Sequence, residues 1–109
     1  MQIDRLEKLL EFIKNEPNDP FLKYALATEY LRLNNTDMAL RFYEDLTNNH
    51  RDYVGTYYHL GKLYEALNRK QDAITTYETG MKISREKRDN HAFSELQAVH
   101  NELTGLYDD

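Results

Sequence analysis

Apolar side chains recur along the chain at steps of three and four residues, with polar or charged residues between them. This spacing is the period of an α-helix that buries one face. In the first segment the stripe consists of Ile3, Leu6, Leu9, Leu10 and Ile13. The same period predicts six helices, over about residues 3–15, 20–33, 36–48, 53–67, 70–85 and 90–106. We therefore expect an all-α protein.

Short polar connections separate the predicted helices. Asp19 followed by Pro20 is typical of a helix N-cap and first helical residue, because the carboxylate accepts a backbone N–H and proline lacks one. Asn34-Asn35 predicts a tight turn, since asparagine tolerates the left-handed conformation. A second turn is expected at residues 68–69. The other predicted caps are Thr36, Asp52 and either Asp89 or Asn90.

The chain repeats itself every 34 residues. Sliding the sequence by this period places Leu26 on Leu60, Tyr30 on Tyr64, Ala39 on Ala73 and Tyr43 on Tyr77. Two blocks result, residues 20–53 and 54–87. A fixed period of this length is typical of stacked helical hairpins, because one hairpin cannot bury its apolar face alone.

The sixth predicted helix differs from the others, since a narrow apolar stripe is backed by a wide polar face. The stripe consists of Ala92, Leu96, Val99, Leu103 and Leu106. Such a helix is expected to seal the end of a repeat array, where one face meets the last repeat and the other meets water.

Composition excludes several classes of function. The formal net charge is -5 and the basic residues are dispersed, so we expect no nucleic-acid partner. No apolar run is long enough to cross a membrane, and we expect no membrane partner. The first residues lack the unbroken apolar core of a secretory signal, and the chain has no cysteine; we therefore expect a cytoplasmic protein.

The chain carries no recognisable catalytic or cofactor motif. No two of the four histidines stand three or four residues apart, and no carboxylate–histidine motif resembles a helical metal site. No glycine-rich loop could hold a phosphate, and no serine lies in a nucleophile elbow. We expect no catalytic residue, no metal and no cofactor, and hence a protein that is not an enzyme.

The repeated positions resemble the tetratricopeptide repeat, a unit of two helices and 34 residues. The second block carries the pattern closely, with Tyr57, Leu60, Gly61, Tyr64, Ala73, Tyr77 and Gly80. The first block carries Leu26, Ala27, Tyr30, Ala39 and Tyr43. It departs from the family at Lys23, where a large aromatic residue is usual, and at Leu46, where a small residue is usual. Pro17 falls at the terminal-proline position of a preceding repeat.

The resemblance implies one domain, residues 1–109, of antiparallel helical hairpins stacked in a right-handed superhelix. An orphan helix over 3–17 would precede the repeats 20–53 and 54–87, and a capping helix over 89–107 would follow them. Five tyrosines are then expected in the repeat core: Tyr30, Tyr43, Tyr57, Tyr64 and Tyr77. Small residues at Gly61 and Gly80 would let the helices approach closely.

The resemblance also implies a binding surface, because the first helix of each repeat lines the concave face of the superhelix in this family. The implied lining is Phe21, Tyr24, Thr28 and Leu31 from the first repeat, with Tyr58, Lys62 and Glu65 from the second. Exposed aromatic side chains on such a face are candidate anchors for a peptide or helix. Only one of these residues is a cation, so the lysine-rich clamp by which some members hold a C-terminal carboxylate is not expected.

Three functions fit this sequence. The first is an adaptor that binds a peptide or helical segment of a partner protein, with apolar anchors, in its concave groove. The second is a self-associating structural module, a homodimer, because two full repeats are close to the minimum for a stable array. The third is a regulatory subunit that docks by its convex face.

Overall fold

The computed structural model describes residues 2–105, with side chains from residue 5 onward. Six α-helices and no strand occupy this part of the chain. Their bounds are α1 Gln2–Asn15, α2 Pro20–Arg32, α3 Thr36–Asn49, α4 Gly55–Ala66, α5 Lys70–Glu86 and α6 Asn90–Thr104. The predicted all-α architecture and the helix count are thus confirmed for the described residues. Leu106 and residue 107, predicted in the last helix, lie outside them, as does the side chain of Ile3.

Two of the predicted caps are confirmed and two are wrong. Asp19 caps α2 by accepting the N–H of Phe21 at 2.8 Å, and Asp89 caps α6 by accepting that of Ala92 at 3.0 Å. At α3 the cap is Asn35, whose side chain accepts the N–H of Met38 at 3.2 Å, so Thr36 is the first helical residue. Asp52 caps nothing, because α4 begins only at Gly55 and its N-cap residue, Val54, makes no side-chain bond.

Three helices end in the same left-handed turn. Asn34, Asn68 and Arg88 have φ of 64°, 60° and 59°. In each case the next residue donates its N–H back into the helix: Asn35 to the Tyr30 carbonyl at 2.8 Å, Arg69 to that of Tyr64 at 2.9 Å, and Asp89 to that of Ser84 at 2.8 Å. These bonds satisfy carbonyls that the helix end would leave without partners. The predicted turns at Asn34-Asn35 and Asn68-Arg69 are confirmed, and the arginine turn is new.

The described chain forms two compact units. The first ends at Tyr53, and in it α2 packs against both α1 and α3. Its buried apolar residues are Leu9, Leu22, Ala25, Leu26, Ala27, Tyr30, Ala39, Tyr43 and Leu46. The second begins at Val54, and in it α5 packs against both α4 and α6. Its buried apolar residues are Tyr57, Leu60, Leu63, Tyr64, Ala73, Tyr77, Ile83, Leu96 and Val99. All five predicted core tyrosines are buried.

Two glycines permit close helix packing within the second unit. A Cβ on Gly61 would overlap the ring of Tyr77, and one on Gly80 would lie 2.5 Å from the Cβ of Tyr57 and 2.9 Å from Leu96 Cδ1. Both positions therefore require the absence of a side chain, as the sequence predicts.

Lys23, which replaces the usual aromatic residue, is buried within the first unit with 6% of its surface exposed. Its ammonium lies 2.9 Å from Asp45 Oδ2 and donates to His50 Nε2 at 3.2 Å. Burial acts to raise the pKa of Asp45, but hydrogen bonds from Lys23 and Asn49 outweigh it, so that the pKa lies below its ordinary value. The departure from the family pattern is thus accommodated by charge pairing, because an isolated buried ammonium would be strongly unfavourable.

Candidate protein-binding surface

Four candidate residues follow one stripe of α2. Phe21, with 61% of its surface exposed, stands at the N-terminal end, and Leu31, with 37% exposed, stands at the other. Thr28 between them is exposed, and Tyr24 is half-buried. The stripe therefore presents apolar surface to solvent along most of the helix.

Tyr24 is held in place by two neighbouring rings. Its ring centroid lies 6.3 Å from that of Tyr43 in an edge-on arrangement and 5.7 Å from that of Tyr53. Burial raises the pKa of Tyr24, and the two neighbouring phenols add to the effect. The expected exposure of this ring is only partial, since one side of Tyr24 belongs to the packing of the first unit.

Thr28 connects the same stripe to the core. Its hydroxyl donates to the Tyr24 carbonyl at 3.0 Å and lies 3.3 Å from the Tyr43 hydroxyl. Burial raises the pKa of Tyr43, and the bond with Thr28 opposes that rise. Thr28 is therefore both a surface residue and a polar partner of the buried tyrosine.

The candidate residues of α4 are more polar. Tyr58 is half-buried, which again corrects the expected exposure, and its ring lies edge-on to that of His59 with centroids 5.5 Å apart. Lys62 has 46% of its side chain exposed and approaches Glu65 at 3.9 Å. Glu65 also accepts the Tyr77 hydroxyl at 2.5 Å. Burial and this bond together raise the pKa of Tyr77. Glu65 thus forms a hydrogen bond within the second unit as well as being part of the candidate surface.

Phe21 also borders a cleft between α1 and α2 that the sequence did not indicate. The cleft encloses about 630 Å³ and is lined by Arg5, Lys8, Leu9, Phe12, Phe21, Leu22 and Ala25. Phe12 is 56% exposed because it lies outside the apolar stripe of α1. An apolar residue on the polar face of an amphipathic helix is the signal that could have found this cleft.

The other polar groups of the described residues suggest no reaction centre. Among residues 5–105, no group of three or more histidine, aspartate or glutamate side chains is placed to hold a metal ion. His100 lies 3.0 Å from Glu78 across α5 and α6, and burial lowers the pKa of His59. No helix in the described part of the chain is long and apolar enough to span a membrane.

Comparison with known proteins agrees with this architecture. The family model of the tetratricopeptide repeat matches residues 54–87. A tetratricopeptide repeat domain protein from Salinibacter ruber is 50% identical in its crystal structure; the match covers 81% of this chain and 99% of that one, with a TM-score of 0.77. This chain belongs to the tetratricopeptide repeat family. A solution structure of such a protein from the same organism is 48% identical over 85% of this chain and 94% of that one, with a TM-score of 0.79.

More distant tetratricopeptide structures share the fold. One of them is the TPR2B domain of yeast Sti1, which was solved in a complex with pHsp70. The match covers 96% of this chain and 84% of that one, with a TM-score of 0.85 and a sequence identity of 14%. The expected helical-repeat fold is thus confirmed. A search of curated proteins found no match. As a tetratricopeptide repeat protein, the chain falls in a class of protein–protein interaction modules.

Proposed function

We propose that this tetratricopeptide repeat protein binds a peptide or helical segment of a partner protein through the exposed faces of α2 and α4. The observation that carries the proposal is the pair Tyr24 and Tyr58. The two rings occupy the same position of successive repeats and are both half-buried. Each therefore offers part of an aromatic face to a partner.

Packing favours the first of these rings as an anchor. Tyr24 contacts Tyr43 and Tyr53, so little side-chain freedom remains to be lost when a partner covers it. Phe21 and Leu31 extend the apolar surface of α2 on either side. Rigid aromatic anchors surrounded by apolar contact are typical of the residues that dominate binding energy.

The charges favour a partner with apolar anchors over a strongly acidic tail. Lys62 is the one cation among the seven candidate residues, and Glu65 lies 3.9 Å from it. The fold of a yeast domain solved with pHsp70 supports the general class of function. It does not extend the chemistry of that complex to this chain.

Capture of a partner from native lysate, followed by titration of that purified partner, tests the proposal. We expect Tyr24→Ala with Tyr58→Ala to weaken binding by more than about tenfold, roughly 1.4 kcal/mol. Because Tyr24 also packs internally, Leu31→Glu on the exposed face provides a second variant that leaves the core intact. Phe42→Ala, which removes a half-buried ring of α3 stacked on Tyr30, is the matched control and should leave affinity unchanged.

The salt dependence of affinity and the oligomeric state distinguish this function from docking by another face and from self-association. Affinity should change little between low and moderate salt, because exposed charges mainly influence association rate. A steep salt dependence without any effect of the α2 and α4 variants would place binding on another face. A homodimer in sedimentation that dissociates with Leu31→Glu would instead support self-association through α2.

A further inference from the structure

We infer that the cleft between α1 and α2 is a second docking site, for a protein segment that carries a large apolar side chain beside carboxylates. The site goes beyond the proposed function, because it lies on the α1 side of α2. Of its lining residues only Phe21 also belongs to the α2 face described above. Phe12 and Lys8 line the cleft from α1 and do not belong to that face.

The cleft combines an apolar floor with two exposed aromatic walls. Leu9, Leu22 and Ala25 are buried at its base. Phe12 from α1 and Phe21 from α2 stand at its sides, 56% and 61% exposed. They are the two most exposed large apolar side chains of the described residues, and they line the same cleft. Exposed apolar surface that is concentrated in one place and rimmed by polar groups marks an interaction site.

Its volume suits one or two large side chains. The cleft is open to solvent on one side and has a volume of about 630 Å³, which lies within the roughly 300–1,000 Å³ of pockets that hold a small ligand. An apolar anchor entering here would cover both phenyl rings, which lie on different helices of the same unit. The favourable burial of this surface is the main driving force for binding.

The charges around the cleft select the polar part of the partner. Arg5 and Lys8 are the charged residues of its lining. Glu7 and Glu11 are not part of this lining; with Lys8 and Phe12 they border a neighbouring depression of about 270 Å³. A carboxylate next to the apolar anchor would therefore meet positive charge in the cleft. Two cations are too few to hold a nucleic-acid backbone, which requires a broad positive face.

An ion pair joins the two helices that form the cleft. The Nε of Arg5 lies 3.2 Å from Glu29 Oε1, so α1 is tied to α2 at the rim of the cleft. Glu29 is 3% exposed and is also paired with Arg32. The Arg5 side chain is still 66% exposed, so it can be reached by a ligand from solvent.

A defined synthetic peptide tests the inference with the whole chain. The probe is a fluorescein-labelled amphipathic peptide, Glu-Asp-Leu-Phe-Asp-Glu-Leu, measured by fluorescence anisotropy. In the first control peptide, lysine replaces every acidic residue. In the second, alanine replaces the two leucines and the phenylalanine. We expect the probe to bind and the two controls not to bind, and we expect salt to weaken the binding of the probe. Failure of the probe to bind at up to about millimolar concentration, or equal binding of the lysine control, would overturn the inference.

Matched variants locate the bound probe. Phe12→Ala and Lys8→Glu should each weaken binding by about fivefold or more. Lys14→Glu makes the same charge change on the same helix outside the cleft, and Leu67→Ala removes an exposed apolar side chain at the C-cap of α4; both should change affinity less than about twofold. Circular dichroism would verify that each variant is folded.

Two further outcomes separate this site from the proposed function. The Tyr24→Ala and Tyr58→Ala double variant should bind the probe as the wild type does. The cleft proposal can therefore be overturned while binding through the α2 and α4 faces is supported, and the converse result is equally possible. Equal weakening by the tyrosine and Phe12 variants would overturn a separate site. A dimer in sedimentation that dissociates with Phe12→Ala, and that the probe does not disrupt, would assign the cleft to a second copy and overturn the stated partner.

Discussion

The hydroxyl of Tyr77 donates a 2.5 Å hydrogen bond to the carboxylate of Glu65. The equivalent tyrosine of the first repeat, Tyr43, instead lies 3.3 Å from the hydroxyl of Thr28. The two repeats thus bury a tyrosine ring at the same position. The residue that pairs with the tyrosine hydroxyl lies on the first helix of each repeat, but one helical turn further along in the second repeat than in the first. The ring is dictated by the repeat, whereas the hydroxyl partner is free to vary because it lies at the edge of the core.

This difference predicts unequal losses on removal of the two hydroxyls. Tyr77→Phe should lower the free energy of unfolding by about 1–2 kcal/mol, since hydrogen bonds to charged groups are the stronger kind and Glu65 is only partly able to recover water. Tyr43→Phe should lower it by less than about 1 kcal/mol. Urea unfolding measures both. A larger loss for Tyr43→Phe would contradict the assigned partners.

A methyl group at Gly61 should destabilise the protein even though alanine is the better helix former. Alanine gains about 1 kcal/mol over glycine in a helix interior, but the added carbon overlaps the Tyr77 ring. We expect a net loss of about 1–3 kcal/mol on urea unfolding of Gly61→Ala. In a Tyr77→Leu background the ring is absent, so the same substitution should be much less harmful. Equal losses in both backgrounds would mean that the ring is not the cause.

The buried ion pair of Lys23 should behave asymmetrically when it is broken. Asp45→Asn leaves a buried ammonium with weaker compensation, and we expect a loss of about 1–3 kcal/mol, moderated because the Asp45 side chain is 32% exposed. Lys23→Met removes the charge and keeps the apolar stem, so it should be close to neutral or stabilising. In the Lys23→Met background, Asp45→Asn should then change the free energy of unfolding little. Additive losses in the double-mutant cycle would contradict the pairing.

Acid should destabilise the first unit through Glu29. The hydrogen bond from Arg32 outweighs the effect of burial, and Arg5 contributes further, so the pKa of Glu29 lies below its ordinary value of 4.5. A group with a lowered folded-state pKa stabilises fully above its unfolded-state value and loses that contribution as pH falls through the folded-state value. The free energy of unfolding should therefore decline below about pH 5.

Glu29→Gln tests the source of that decline. The substitution should flatten the fall in stability on acidification, while Glu11→Gln, an exposed change on α1, should leave its slope unchanged. Denaturant titrations at several pH values measure the slopes. An unchanged acid slope in Glu29→Gln would assign the decline to other carboxylates.

Local features of this fold could be predicted from the sequence because their causes are local. The apolar period determines the helices, and asparagine at positions 34 and 68 permits the left-handed turns. The cap predicted at Thr36 was wrong by one position, because both residue types cap helices and the preceding residue, Asn35, takes that role. The third left-handed turn was missed because arginine at position 88 carries no such preference.

Features that depend on packing between helices could not be predicted. The partners of Lys23 stand 22 and 27 residues further along the chain, and no spacing rule brings them together. The position of Phe12 outside the apolar stripe signals its exposure, but the cleft beside it depends on how α1 is packed against α2, which the repeat pattern leaves undetermined. The seven candidate binding residues came from family resemblance, and their joint role remains a proposal for experiment.

Hydroxyl-radical footprinting with and without a captured partner tests the central proposal most directly, because it reports side-chain access at each ring. We expect oxidation of Tyr24 and Tyr58 to fall together on binding, while the half-buried Phe42 on α3 and Phe93 on α6 are unchanged. Unchanged oxidation of both tyrosines, with protection on α3 or α5 instead, would contradict binding through the α2 and α4 faces.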